Sequence, residues 1–153
     1  MSKWSKKLVE LGIELPEVAK PVAAYVPAVK SGKMVFTSGQ LPTVNGELIA
    51  KGHVGQEVTP ETANACARQC ALNALAAINS VVDLDQIEQI VKVTGFVSVA
   101  PDFVTHSAVM NGASDLLLEI FGDAGKHART SIGVSSLPLG APVEVELVVR
   151  LKG

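Results

Sequence analysis

The chain has 153 residues, enough for one domain with a core of its own, and a formal net charge of −2. That charge, with an isoelectric point near 5.9, argues against the basic footprint of a nucleic-acid binder. The hydrophobic fraction of 48% and mean hydropathy of +0.34 imply a large core or apolar surface shared between subunits. Yet polar residues interrupt every apolar stretch well short of the roughly 20 residues that span a bilayer.

The segment from Met1 to Leu15 is too charged for a secretory signal, which sets a cytoplasmic expectation. Within it, Trp4, Leu8 and Leu11 fall near helical spacing and Gly12 offers a stop, predicting a short helix over 3–11. The run from Val22 to Val29 reads as extended, with Pro27 marking an edge or bulge. Ser31-Gly32-Lys33 turns the chain into a second strand over 34–40, and the two are expected to pair as a hairpin. Asn45-Gly46 is a strong turn signal, with a short return strand over 47–51.

Thr59-Pro60-Glu61 carries a helix start with a mechanism. Thr59 can cap, Pro60 suits the first helical position and Glu61 complements the dipole. The pattern carries this helix to about Val82, with small residues along one face. Cys66 and Cys70 lie on adjacent turns of it and read as small buried thiols, since a metal would need further ligands. A strand follows over 87–99, then a helix starting at Pro101-Asp102 and ending at Gly122.

The last stretch reads as a β-hairpin, with 128–134 and 143–149 flanking Leu137-Pro138-Leu139-Gly140. Arg129 opens its first strand, and Glu144 and Glu146 alternate with valine in the second. An anion-binding fork and two carboxylates suffice to hold a small acid and handle a water. A surface arginine paired with Glu146 is the bland alternative. The order of elements predicts one α+β layer in a single domain over 1–153, a sheet covered on one face by two helices. Its strands are apolar on both sides in places, which favours self-association.

Several motifs now fall in order: Tyr25, Thr37-Ser38-Gly39-Gln40 with Pro42, Asp102-Phe103, and Ala128-Arg129 through Leu137-Pro138 into Val143-Glu144-Val145-Glu146. Together, over about Pro21 to Leu151, the chain resembles the reactive-intermediate deaminase family, also called YjgF or L-PSP. The resemblance implies a chorismate-mutase-like α+β fold with a single mixed sheet, and homotrimers with active sites in inter-subunit clefts. It also implies hydrolysis of 2-imino acids to 2-oxo acids and ammonia without cofactor or metal. The residues 1–20 form an N-terminal extension relative to the family's archetype, the mark of a sub-branch.

By that resemblance Arg129 grips the substrate carboxylate and Glu144 orients the water. Tyr25, Asn111, Ser38 and Ser131 would line the site, Ser131 standing where the family commonly has cysteine. The expected partner is a small imino or keto acid, with no membrane. Tyr25 could instead be a packing residue, and His53, His106 and His127 lack metal-ligand spacing, although His127 could border the pocket. Two other functions fit the resemblance: a noncatalytic ligand-binding trimer, and an endoribonuclease, which the acidic charge and sparse aromatics disfavour. On a hairpin closing at Leu139-Gly140, Arg129 would lie about 20 Å from Glu144. The two would then meet only across a subunit boundary.

Overall fold

A computed structural model describes residues 3–21 and 23–153. The elements in chain order are α1 (Lys3–Glu10), β1 (Ala28–Ser31), β2 (Met34–Thr37), β3 (Thr43–Val44), β4 (Glu47–Leu48), α2 (Pro60–Asn79), β5 (Ile87–Ser98), α3 (His106–Phe121), β6 (Ala128–Val134) and β7 (Val143–Leu151). Five strands make one mixed sheet in the order β1-β2-β7-β5-β6, and β3 and β4 form a separate ribbon. The expected α+β sheet with helices on one face is what the chain forms. No helix among the described residues is long and apolar enough to cross a membrane.

Local signals explain much of this. Thr59 accepts a hydrogen bond from the Thr62 amide at 3.1 Å, capping α2 one residue before Pro60. Asn45 and Gly46 adopt φ of 52° and 82°, the left-handed pair that a tight two-residue hairpin between β3 and β4 requires. β1 and β2 pair antiparallel as expected, but β1 starts only at Ala28; Val22, where the extended run began, lies outside the described residues.

Two expectations fail for topological reasons. β6 and β7 do not form a hairpin. The β5–α3–β6 segment is a crossover, which returns β6 parallel to β5, and β7 then runs antiparallel on the other flank of β5. The segment between β6 and β7 therefore arches over the end of β5, where Ser98 donates its amide to the Pro142 carbonyl at 2.9 Å. Likewise α3 begins at His106, not at Pro101-Asp102. Those two residues sit in a turn closed by the Phe103 amide on the Ala100 carbonyl.

The core lies between the sheet and the helices α2 and α3. Val93 and Val97 of β5, and Val143, Val145, Leu147 and Val149 of β7, are buried beneath Leu75, Ile78, Met110, Leu116 and Leu117. Gly112 lets the helices approach closely, since a Cβ there would stand 2.0 Å from the Asn64 carbonyl oxygen. Asn64 ties the contact by donating to the Ala108 carbonyl at 2.9 Å. Gly95 on β5 similarly lets Met110 pack down onto the sheet, seating α3 low over β5 and β6.

α1 is joined to the body through the amides of its first turn, which have no partner within the helix. The amides of Trp4 and Ser5 both donate to the Asp85 carboxylate, at 2.8 and 2.9 Å, and the Ser5 hydroxyl donates to it as well. Asp85 thus caps a helix eighty residues away in sequence. The Trp4 indole donates to the Ile87 carbonyl and packs edge-on against Phe121.

Candidate functional site

The predicted residues divide into two groups. Arg129, Ser131 and Gly133 alternate along the edge strand β6 and point toward α3, because Arg129 is in register with Val93, a core residue on that face. Asn111 and Ser114 stand one helical turn apart on α3 above them. Arg129 Nη1 donates to Asn111 Oδ1 at 2.9 Å and to Ser114 Oγ at 3.0 Å. The guanidinium forms no ion pair among the described residues, so the expected alternative of a pairing with Glu146 does not occur. Its remaining donors, Nη2 and Nε, have no protein partner among those residues.

Nearby, the Ser131 hydroxyl is buried with no hydrogen-bond partner among the described residues. His127 bridges the Ser114 hydroxyl and the Gly125 carbonyl, at 2.9 and 2.6 Å. His106, at the start of α3, lies over Gly133 and packs edge-on against Phe103.

The second group gathers at the other side of the sheet. Tyr25 is 57% exposed, not packed in the core, and lines a cleft of about 360 Å³ with Ser38, Gly39, Gln40, Leu41 and Leu139. Gln40 pairs with Val145 through both backbone bonds, whereas the Leu147 amide is taken by the Thr37 hydroxyl. One extra residue is therefore accommodated in the strand opposite β7, and the Ser38-Gly39 bulge results. Ser38 turns back to the preceding segment, its amide on the Pro27 carbonyl and its hydroxyl on the Val26 carbonyl at 2.6 Å.

The bulge puts Gly39 directly against the Glu144 carboxylate. A Cβ on Gly39 would lie 2.3 Å from Glu144 Oε1. Glu144 is half-buried. Burial, and secondarily the charge of Glu146, hold its carboxyl above the ordinary carboxylate value. A raised proton affinity suits a group that must accept a proton from water.

The two groups do not meet within one chain. Glu144 is in register with Phe96 and alternates with the buried Val143 and Val145, so it faces away from the helices, opposite to Arg129. Arg129 is level with Leu147, two strands across and three residues along from Glu144, or roughly 14 Å. The 20 Å expected from a hairpin is replaced by a shorter separation with β5 between them. A larger cleft of about 650 Å³, bounded by residues 14–19, the β3–β4 ribbon and α2, holds none of these residues. Its buried Asn73 is already engaged by the Leu41 and Thr43 carbonyls, so its polarity is structural.

Sequence reasoning missed Ser114 and Gly39. Ser114 was findable as the residue three beyond Asn111 on the same helical face; Gly39 sat inside a quoted motif, but its contact with Glu144 depends on the bulge. The thiols behave as small core groups. Both are buried, and burial pushes Cys66 up to about 11 and Cys70 well above its usual value.

Comparison with known proteins agrees with this architecture. The family model described as “YjgF/chorismate mutase-like, putative endoribonuclease” matches residues 5–151, beginning inside the stretch set apart as an extension. The chain is 42% identical over 146 residues to protein TCP17 of Trypanosoma cruzi, covering 94% of this chain and 91% of that one. Among solved structures, the protein Atu1372 of Agrobacterium tumefaciens superposes with a TM-score of 0.90 at 38% identity, covering 97% of this chain and 92% of that one. A protein of Shewanella oneidensis MR-1 superposes with a TM-score of 0.93 at 36% identity, covering 98% and 100%. The chain belongs to the YjgF/chorismate mutase-like family.

Proposed function

We propose that this protein hydrolyses 2-imino acids, and the enamines in equilibrium with them, to 2-oxo acids and ammonia, without a cofactor, in clefts between the subunits of a homotrimer. The observation that carries the reading is the state of Arg129. Among the described residues its charge is held by two neutral oxygens through Nη1, which leaves Nη2 and Nε to grip a carboxylate with two parallel hydrogen bonds.

A protonated imine is already electrophilic at C2, so the site has only to bind the acid end and aim a water. The Glu144 carboxylate takes a proton from that water as its oxygen bonds to C2. The same proton passes to the nitrogen of the tetrahedral adduct. The C–N bond breaks as the C2 hydroxyl becomes the carbonyl, and that hydroxyl's proton passes through Glu144 to the departing ammonia, which leaves as ammonium with the carboxylate restored. Tyr25 and Ser38 would line the side of the cleft nearest Glu144, and Asn111 and Ser131 the side of Arg129.

The same geometry supports assembly. Arg129 and Glu144 face opposite ways across the sheet, so a cleft containing both draws each from a different subunit. The sheet face away from the helices supports such packing, with Phe36 and Ile132 exposed there beside Phe96 and Val148.

The test is to release 2-iminobutanoate in situ with a dehydratase acting on threonine and follow its decay. Wild type should accelerate the decay, and Arg129→Ala and Glu144→Gln should each abolish most of the acceleration. Absence of acceleration by wild type rejects the reading. A noncatalytic ligand-binding trimer would bind 2-oxobutanoate through Arg129 and be indifferent to Glu144→Gln.

A further inference from the structure

We infer that His127, acting through Ser114, is a positioning residue that sets the orientation of the Arg129 guanidinium; the inference rests on the reading of Arg129 as the carboxylate-binding group. Four groups form one directional chain. The Gly125 carbonyl can only accept a hydrogen bond, so His127 Nδ1, 2.6 Å away, carries the proton. In the neutral ring Nε2 is then an acceptor, and the Ser114 hydroxyl donates to it across 2.9 Å. With its one proton committed, the Ser114 oxygen has its lone pairs left for Arg129 Nη1 at 3.0 Å.

The far end of the chain is fixed. Gly125 is buried in the turn of residues 122–125, where a Cβ would stand 2.4 Å from the Leu117 carbonyl oxygen. The turn is therefore packed hard against α3, and the carbonyl that orients His127 belongs to a rigid junction. Ser114 is itself only 8% exposed, in the middle of α3, where little solvent is at hand to replace a lost partner. Asn111, by contrast, is exposed and supplies the other hydrogen bond to Arg129 among the described residues. Without His127 the serine hydroxyl is free to turn toward the guanidinium or to a carbonyl of its own helix, and Arg129 loses one of its two supports.

The experiment compares His127→Phe, His127→Gln and Ser114→Ala with wild type, each checked for an unchanged melting temperature within a few degrees. The first readout is the ¹⁵N side-chain NMR signal of Arg129 without ligand. Resolved Nη resonances, reporting hindered rotation, are expected in wild type. They should average in His127→Phe and Ser114→Ala and return in His127→Gln, whose amide oxygen can accept where Nε2 did. The second readout is hydrolysis of 2-iminobutanoate released in situ: KM should rise about tenfold in His127→Phe with kcat within about threefold, and His127→Gln should recover most of the loss. Unchanged Arg129 signals in His127→Phe overturn the inference, as does a fall in kcat with KM untouched. If wild type hydrolyses nothing, the proposed reaction fails while the guanidinium signals still decide the positioning role.

Discussion

Gly39→Ala tests the geometry around Glu144 most sharply. The new methyl would stand 2.3 Å from Glu144 Oε1, 2.9 Å from Cδ and 3.1 Å from Cγ, against an ordinary contact of 3.4 Å or more. Gly39 has no left-handed φ, so alanine introduces no backbone strain, and the nearest atoms, which must yield, belong to the Glu144 side chain. Relief requires the carboxylate to move by about 1 Å, and a displacement of that size at a reacting group costs on the order of 100-fold in rate. That corresponds to about 2.7 kcal/mol of transition-state stabilisation. Stability should hardly change, because the loss of chain entropy in the unfolded state offsets the crowding by about 0.4–1 kcal/mol. In the 2-iminobutanoate assay, kcat should therefore fall toward that of Glu144→Gln while KM, governed by Arg129, stays within about threefold. A Gly39→Ala protein as fast as wild type, beside an inactive Glu144→Gln, would refute the argument that the bulge positions this carboxylate.

Other substitutions probe separate parts of the structure. Since burial raises the Glu144 carboxyl above its unfolded value of 4.5, the folded state binds the extra proton, and stability falls as pH rises from 4.5 through the folded value. Glu144→Gln should flatten that part of the pH–stability curve and stabilise the protein at neutral pH by up to about 0.5 kcal/mol, read by thermal melting at several pH values. Gly112→Ala should cost about 2–3 kcal/mol in urea unfolding, because a Cβ meets the backbone of α2 at 2.0 Å; a neutral result would mean the helices separate more easily than their packing implies. Trp4→Ala should cost about 3–5 kcal/mol, through the lost ring packing and the unpaired Ile87 carbonyl, and a loss below about 1 kcal/mol would show that α1 is dispensable.

What the sequence disclosed, and what it hid, follows the range of the forces involved. The Thr59 cap and the Asn45-Gly46 turn are set by neighbours within three residues, and both were legible. The 137–140 turn was also legible as a turn, but which strands flank it depends on the α3 crossover, and that is a property of the whole sheet. Pro101-Asp102 resembles a helix start in isolation; the chain uses it to close a turn, and α3 starts at His106 without a side-chain cap. In the candidate site, Arg129 and Glu144 were found by motif, whereas their placement on opposite faces required the register of β5. The links from Ser114 to Arg129 and from Gly39 to Glu144 join positions that no periodicity connects.

The placement of β5 between the strands bearing Arg129 and Glu144 has a genetic consequence. If every cleft takes its arginine from one subunit and its glutamate from the next, two inactive alleles can rescue each other. Co-expressed in equal amounts, Arg129→Ala and Glu144→Gln chains would assemble mixed trimers in which one cleft joins the intact arginine of one allele to the intact glutamate of the other. Random assembly would return about a quarter of wild-type activity. A cleft built from a single chain would return none.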